Sequence, residues 1–185
     1  MNEIKIGFIG QGFIGKSYAD DFEKRGYNIV RYAKEEQYEN NKDLIKDCDI
    51  TFIDVPTPTT PDGFDDSILD EVLNLIGDDK IAVIKSTILP GTADKLQAKH
   101  KNIILLHSPE FLTEVTAQYD AANPKRNIVG YSTVIKEESE VRSASQMVMD
   151  ILPDAPYKAI VNAKTGERSK CGGNTCFALR VIYSK

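Results

Sequence analysis

The feature that most constrains this chain is the run from Ile4 to Gly15. A short, mostly apolar stretch (Ile4, Ile6, Phe8, Ile9) leads straight into Gly10-Gln11-Gly12-Phe13-Ile14-Gly15. An apolar run of this length bounded by glycine reads as a buried strand, and glycines at GxGxxG spacing ahead of a helical pattern read as a strand-to-helix turn. The first glycine permits the tight turn, the second lets a pyrophosphate approach the backbone, and the third lets helix pack on strand. The helix N-terminus then offers unbonded N–H groups and a partial positive charge, so the expectation is a dinucleotide cradle made by Gly10, Gly12, Phe13, Ile14 and Gly15. A glycine turn with no ligand is the plainer reading. The strand before it and the helical pattern after it favour the cradle.

The remaining elements follow in order. Tyr18, Ala19 and Phe22 recur at helical spacing within Lys16–Arg25, and Gly26 stands at the C-cap. Tyr27–Tyr32 reads as a second strand, Asn41–Asp47 as a short helix and Ile50–Val55 as a third strand. Pro56-Thr57-Pro58-Thr59-Thr60-Pro61-Asp62-Gly63 is expected to be a loop, because its prolines remove donors and fix the backbone. Asp65 or Asp66 caps a helix through Ile76, Lys80–Lys85 is a fourth strand, and Pro90-Gly91 turns into a helix over Thr92–His100. Ile103–His107 is a fifth strand and Asn127–Gly130 a sixth. Lys136–Ile151 is an amphipathic helix with a solvated, charged start, and Tyr157–Val161 an edge strand. Lys164–Lys185 has helical apolar spacing that Gly172-Gly173 weakens.

Strand and helix alternate with connections too long for hairpins, which predicts an α/β fold: a doubly wound, mostly parallel Rossmann-type sheet with helices on both faces. The expected organisation is a dinucleotide-binding domain over residues 1–163 and, over 164–185, the start of a helix leading to a further domain. The chain has 185 residues, 41% hydrophobic and 28% charged, with net charge −5 and no cluster of basic residues, which argues against a nucleic-acid partner. No apolar run is long enough to span a membrane and no leader pattern precedes Ile4, so a cytoplasmic protein is expected. Cys48, Cys171 and Cys176 show no CxxC spacing and read as reduced thiols, and with only His100 and His107 no metal site is expected.

In an open α/β sheet ligands bind beyond the carboxyl ends of the strands. Here those positions hold Val55-Pro56-Thr57-Pro58, then Lys85-Ser86-Thr87 with Pro90-Gly91-Thr92, then Ser108-Pro109-Glu110-Phe111-Leu112-Thr113-Glu114. Together with the fingerprint, Phe64-Asp65, Pro124, Arg126 and Val129-Gly130, this set resembles the N-terminal domain of the UDP-glucose/GDP-mannose dehydrogenase family. Glu167, Lys170 and Asn174 at ExxKxxxN spacing resemble the opening of that family's interdomain helix.

The resemblance implies NAD as cofactor and a nucleotide-sugar substrate whose C6 alcohol is oxidised twice, through a thiohemiacetal on a cysteine, to a uronic acid. It implies that Thr87 helps place the catalytic water and cofactor, that Glu110 assists thioester hydrolysis, and that Lys170 and Asn174 stabilise an oxyanion. It places Glu114 near the nicotinamide, and Val55, Pro56, Thr57 and Ser86 beside the cofactor. Plainer readings stand beside these: Thr87 as a turn residue, Glu110 as a first-turn helix charge, Lys170 as a solvated cation, and His100 and His107 as surface or strand-end residues.

Two departures qualify the resemblance. The family's nucleophilic cysteine lies in a glycine-rich loop of its next domain and has no counterpart among these residues. The tip of strand two carries Tyr32-Ala33-Lys34 where an acidic residue normally holds the ribose, and neighbouring Arg31 and Lys34 leave NADP open. The alternatives are a non-catalytic dinucleotide-binding or interaction module and a 3-hydroxyacid-type dehydrogenase. Val181, Ile182 and Tyr183 would form an apolar strip, expected to pair with a second copy as a homodimer or to fray.

Overall fold

The computed structural model describes residues 4–134 and 136–169. Nine strands and seven α-helices are assigned among them. The strands are β1 (Lys5–Ile9), β2 (Asn28–Tyr32), β3 (Ile50–Ile53), β4 (Thr59–Thr60), β5 (Gly63–Phe64), β6 (Ile81–Ile84), β7 (Ile104–His107), β8 (Arg126–Tyr131) and β9 (Tyr157–Asn162). The helices are α1 (Phe13–Lys24), α2 (Glu36–Glu39), α3 (Ser67–Leu73), α4 (Thr92–Lys99), α5 (Ala117–Ala122), α6 (Glu138–Ile151) and α7 (Ala163–Ser169).

Seven strands form one sheet in the order β2-β1-β3-β6-β7-β8-β9. The first five are parallel, as the long crossovers predict, and their buried Ile, Val, Leu and Phe residues give them a core on each face. On one face Ile6, Phe8, Phe52 and Val83 pack against Tyr18 and Phe22 of α1 and Val148 of α6, with the Phe8 and Phe52 rings stacked at 5.2 Å. On the other, Ile9, Ile53 and Ile84 pack against Leu69 and Leu73 of α3 and Leu96 of α4. Strand order reverses between β1 and β3, the place where a doubly wound sheet opens a crevice.

The structure departs from the sequence expectations in two places, the proline-rich stretch and α5, and refines them in two more. The proline-rich stretch is not wholly a loop, because Thr59–Thr60 and Gly63–Phe64 pair as a small antiparallel hairpin around Pro61-Asp62. The short helix expected over Asn41–Asp47 is present as a 3₁₀ helix over Lys42–Asp47. Helix α5 has no counterpart in the expected elements, its six residues being too few to show a period. Finally, β8 runs antiparallel to β7, while β9 is parallel to β8 at the sheet edge as expected for that strand. At the start of α3 the two aspartates divide: Asp66 is the N-cap but its carboxylate accepts from Lys95 Nζ at 2.7 Å instead of capping the helix, and Asp65 accepts the N–H of Ser67 at 2.9 Å.

Helix α7 lies directly on backbone. A Cβ added to Gly166 would sit 3.3 Å from the Gly130 Cα, and one added to Gly130 would sit 3.2 Å from the Ala163 Cα. Close approach of helix and strand is what these glycines provide. Val181, Ile182 and Tyr183 lie outside the described residues. No described helix is long and apolar enough to cross a membrane.

Candidate active site

The glycine turn has the geometry its spacing predicts. The Gly10 N–H bonds the Tyr32 carbonyl at 2.9 Å, tying the turn to β2. Gly10 has φ +89°, and a Cβ there would fall 1.9 Å from the Asp54 carbonyl oxygen. At Gly15 an added Cβ would fall 2.2 Å from the Gly10 carbonyl oxygen, so this glycine is required for helix to meet strand. Gly12 differs: it is exposed, and the nearest atom to an added Cβ is an Asp54 carboxylate oxygen at 4.0 Å. Its lack of a side chain serves open space above the turn. Among the described residues no hydrogen bond engages the N–H groups of Phe13 and Ile14, which fits an anion at this helix end.

The strand ends beside the turn are stitched by hydroxyls. Ser86 Oγ accepts the Val55 N–H at 2.9 Å and donates to the Val55 carbonyl at 2.8 Å, closing β3 to β6 just past their last ladder pairs. Thr57 Oγ1 donates to the Thr87 carbonyl at 2.7 Å. The structure therefore brings Val55, Thr57, Ser86 and Thr87 together at the carboxyl edge, with Pro56 exposed between them. The Ser86 hydroxyl is spent on this stitch, while Thr87 remains exposed.

Glu110 sits apart from these hydroxyls. It is 4% exposed, its Oε1 accepts the Leu112 N–H at 2.8 Å and the Phe111 N–H, and its Oε2 lies 3.1 Å from Lys85 Nζ. That last contact is an ion pair by distance but is not aligned as a hydrogen bond, so Oε2 has no hydrogen-bond partner among the described residues. Lys85 also reaches Ser108 Oγ at 3.4 Å and lies 4.2 Å from the Tyr18 ring centroid. Burial first, and then the Glu110 carboxylate, push the Tyr18 phenol well above its usual range. A cleft of about 210 Å³ opens over this cluster, lined by Tyr18, Lys85, Glu110, Phe111, Asn123 and Arg126, and none of its lining residues belongs to the glycine turn. The antiparallel start of β8 brings Arg126 to this edge, its guanidinium 5.1 Å from the Phe111 ring centroid.

Glu114 is exposed at the start of a 3₁₀ turn, and no described contact joins it to Thr87 or Glu110. Lys170 and Asn174 lie outside the described residues. Glu167, three positions before Lys170, is 1% exposed and accepts the N–H groups of Gly91 and Ala93, the latter at 2.9 Å, at the start of α4. Burial raises its carboxyl above the usual value, and the two N–H bonds oppose that rise. His100 and His107 are buried, not surface residues, although His107 does end β7; His100 Nε2 lies 2.8 Å from Asp70 Oδ1. No group of three potential metal ligands occurs among the described residues.

Asp54 is the residue that the sequence reading passed over. Its Oδ2 accepts the Gly15 N–H at 3.0 Å, inside the first turn of α1. A charge closing an otherwise apolar strand run, Ile50–Val55, was the available signal.

Fold and crevice together define a Rossmann-type nucleotide-binding domain. Residues 30–148 match the NAD binding domain of the UDP-glucose/GDP-mannose dehydrogenase family, more than half of the chain. The chain belongs to that family. It is 27% identical to a UDP-glucose 6-dehydrogenase of Streptococcus pneumoniae over 97% of its own length and 55% of the relative's. It is 26% identical to an uncharacterized protein of Methanocaldococcus jannaschii, over 97% of its own length and 24% of that protein's. Its fold matches a UDP-glucose dehydrogenase structure from Pyrobaculum islandicum with TM-score 0.76 at 21% identity, over 91% of this chain and 48% of that one. The chain thus spans between about a quarter and about half of the curated relatives it matches.

Proposed function

We propose that this chain is the cofactor-binding part of an NAD-dependent nucleotide-sugar 6-dehydrogenase of the UDP-glucose to UDP-glucuronate type. The observation that carries the reading is the glycine turn at the β1–β3 reversal, with Phe13 and Ile14 N–H groups that no described residue bonds, beside the Thr57–Thr87 pair. In the complete enzyme the turn binds the pyrophosphate, Thr87 orients water and cofactor, and Glu110, Lys170 and Asn174 serve hydrolysis and the oxyanion in a site completed by a further domain to which the helix starting over 164–185 leads. Glu114 then lies near the nicotinamide.

NAD is favoured over NADP by the electrostatics of the β2 tip. Arg31 is bound to Asp20 at 2.8 Å and Glu23 at 2.9 Å, with Gln11 Oε1 at 3.3 Å, so its charge is committed. Lys34 is exposed but is followed by Glu35 and Glu36, leaving a net negative tip that repels a 2′-phosphate.

One observation favours the reading of a non-catalytic dinucleotide-binding module: Glu110 is buried on Lys85 and backbone rather than presented to the crevice. Calorimetric titration of the 185-residue chain with NAD and NADP tests the cofactor reading. Binding of NAD at or below millimolar concentration, weaker for NADP, is expected; no binding of either overturns it. The chain alone is expected to make no NADH from UDP-glucose, since Cys48 is fully buried, while Cys171 and Cys176 lie outside the described residues.

A further inference from the structure

The end of β3 carries a carboxylate into the crevice. Asp54 Oδ2 accepts the Gly15 N–H at 3.0 Å and lies 4.0 Å from where a Gly12 Cβ would be. The main chain of the same residue presses on Gly10, and its N–H bonds the Ile9 carbonyl at 2.8 Å. The side chain is therefore held at the first turn of α1, on the side where strand order reverses.

A pyrophosphate needs that same helix end. The partial charge there is about +0.5, and a carboxylate at hydrogen-bonding distance from it carries twice that charge with opposite sign. We propose that Asp54 is an affinity-determining residue of the dinucleotide crevice: its carboxylate competes with the pyrophosphate for the N-terminus of α1 and holds affinity below that of the same turn with a neutral side chain. This rests on the reading of the crevice as a cofactor site.

The carboxylate has two opposed effects. Its bond to Gly15 orders the turn, which favours binding, and its charge repels phosphate. Substitution separates them, because an amide keeps an acceptor oxygen and drops the charge, whereas alanine drops both.

The experiment is NAD calorimetry on the wild-type chain, Asp54→Asn and Asp54→Ala at one ionic strength, with circular dichroism confirming that each is folded. Asp54→Asn is expected to bind NAD about tenfold more tightly than wild type, with Asp54→Ala between the two. Tighter binding by the asparagine variant, including binding detected only in it, supports the proposal. If wild type binds NAD and Asp54→Asn binds equally or more weakly, the proposal is overturned while the cofactor reading stands. If no folded variant binds NAD at millimolar concentration, the cofactor reading falls and takes the proposal with it.

Discussion

Lys85 and Glu110 form a nearly buried ion pair, Nζ to Oε2 3.1 Å, that holds the end of β6 to the loop after β7. Removing one partner of such a pair strands the other in a low-dielectric site, whereas removing both does not. Lys85→Met is expected to lose about 3–5 kcal/mol of stability. The double variant Lys85→Met, Glu110→Leu should recover much of it, and urea denaturation of the single and double variants gives the coupling directly.

The three glycines of the turn are expected to separate by role. Gly10→Ala and Gly15→Ala drive a Cβ into backbone oxygens at 1.9 and 2.2 Å and should each cost about 3 kcal/mol or more. Gly12→Val meets no such backbone contact and should leave the fold nearly intact while weakening NAD binding by about tenfold or more. Thermal unfolding paired with calorimetry resolves the two classes.

Cys48 should be inert. Burial pushes its thiol from 9.0 up to about 11. A raised folded-state value means that the folded chain keeps a proton the unfolded chain releases, so stability from this group is complete below pH 9.0 and declines as pH rises toward about 11. Cys48→Ala should flatten the stability curve in that window relative to wild type, and peptide mapping after iodoacetamide at pH 8 should find Cys48 unmodified in the native protein.

Glu167 reaches from α7 to the start of α4, 74 positions earlier at Ala93. Glu167→Ala leaves the Gly91 and Ala93 N–H groups without their acceptor and is expected to cost about 2–4 kcal/mol. Hydrogen exchange read at Gly91 and Ala93 should quicken in this variant more than exchange in β1 or β3.

What was legible in the sequence is what depends on local period and turn chemistry. The β1–glycine–α1 unit, the apolar strands β3, β6 and β7, and the long helix α6 all show their patterns within a dozen residues. What depends on distant partners was not legible. Nothing near Lys85 says that it will face Glu110, nothing near Glu167 says that it will cap α4, and the direction of β8 follows from how the chain returns after α5, an element too short to announce itself. Asp54 was hidden for a different reason: in sequence it looks like an interruption of a strand, and only the pairing of β3 with β1 puts its carboxylate against Gly15.

The sheet has a parting line. Only two register pairs, Leu106 with Tyr131 and His107 with Gly130, join β7 to β8, whereas six join β8 to β9. When the domain opens short of full unfolding, β8, α6, β9 and α7 are expected to leave together, since α6 joins β8 to β9 and packs on both, and Gly130 and Gly166 keep α7 and strand in backbone contact. That departure withdraws Arg126 from the cleft and Glu167 from α4 in a single event. Cleft wall and helix latch thus share one fate, although they face opposite sides of the sheet.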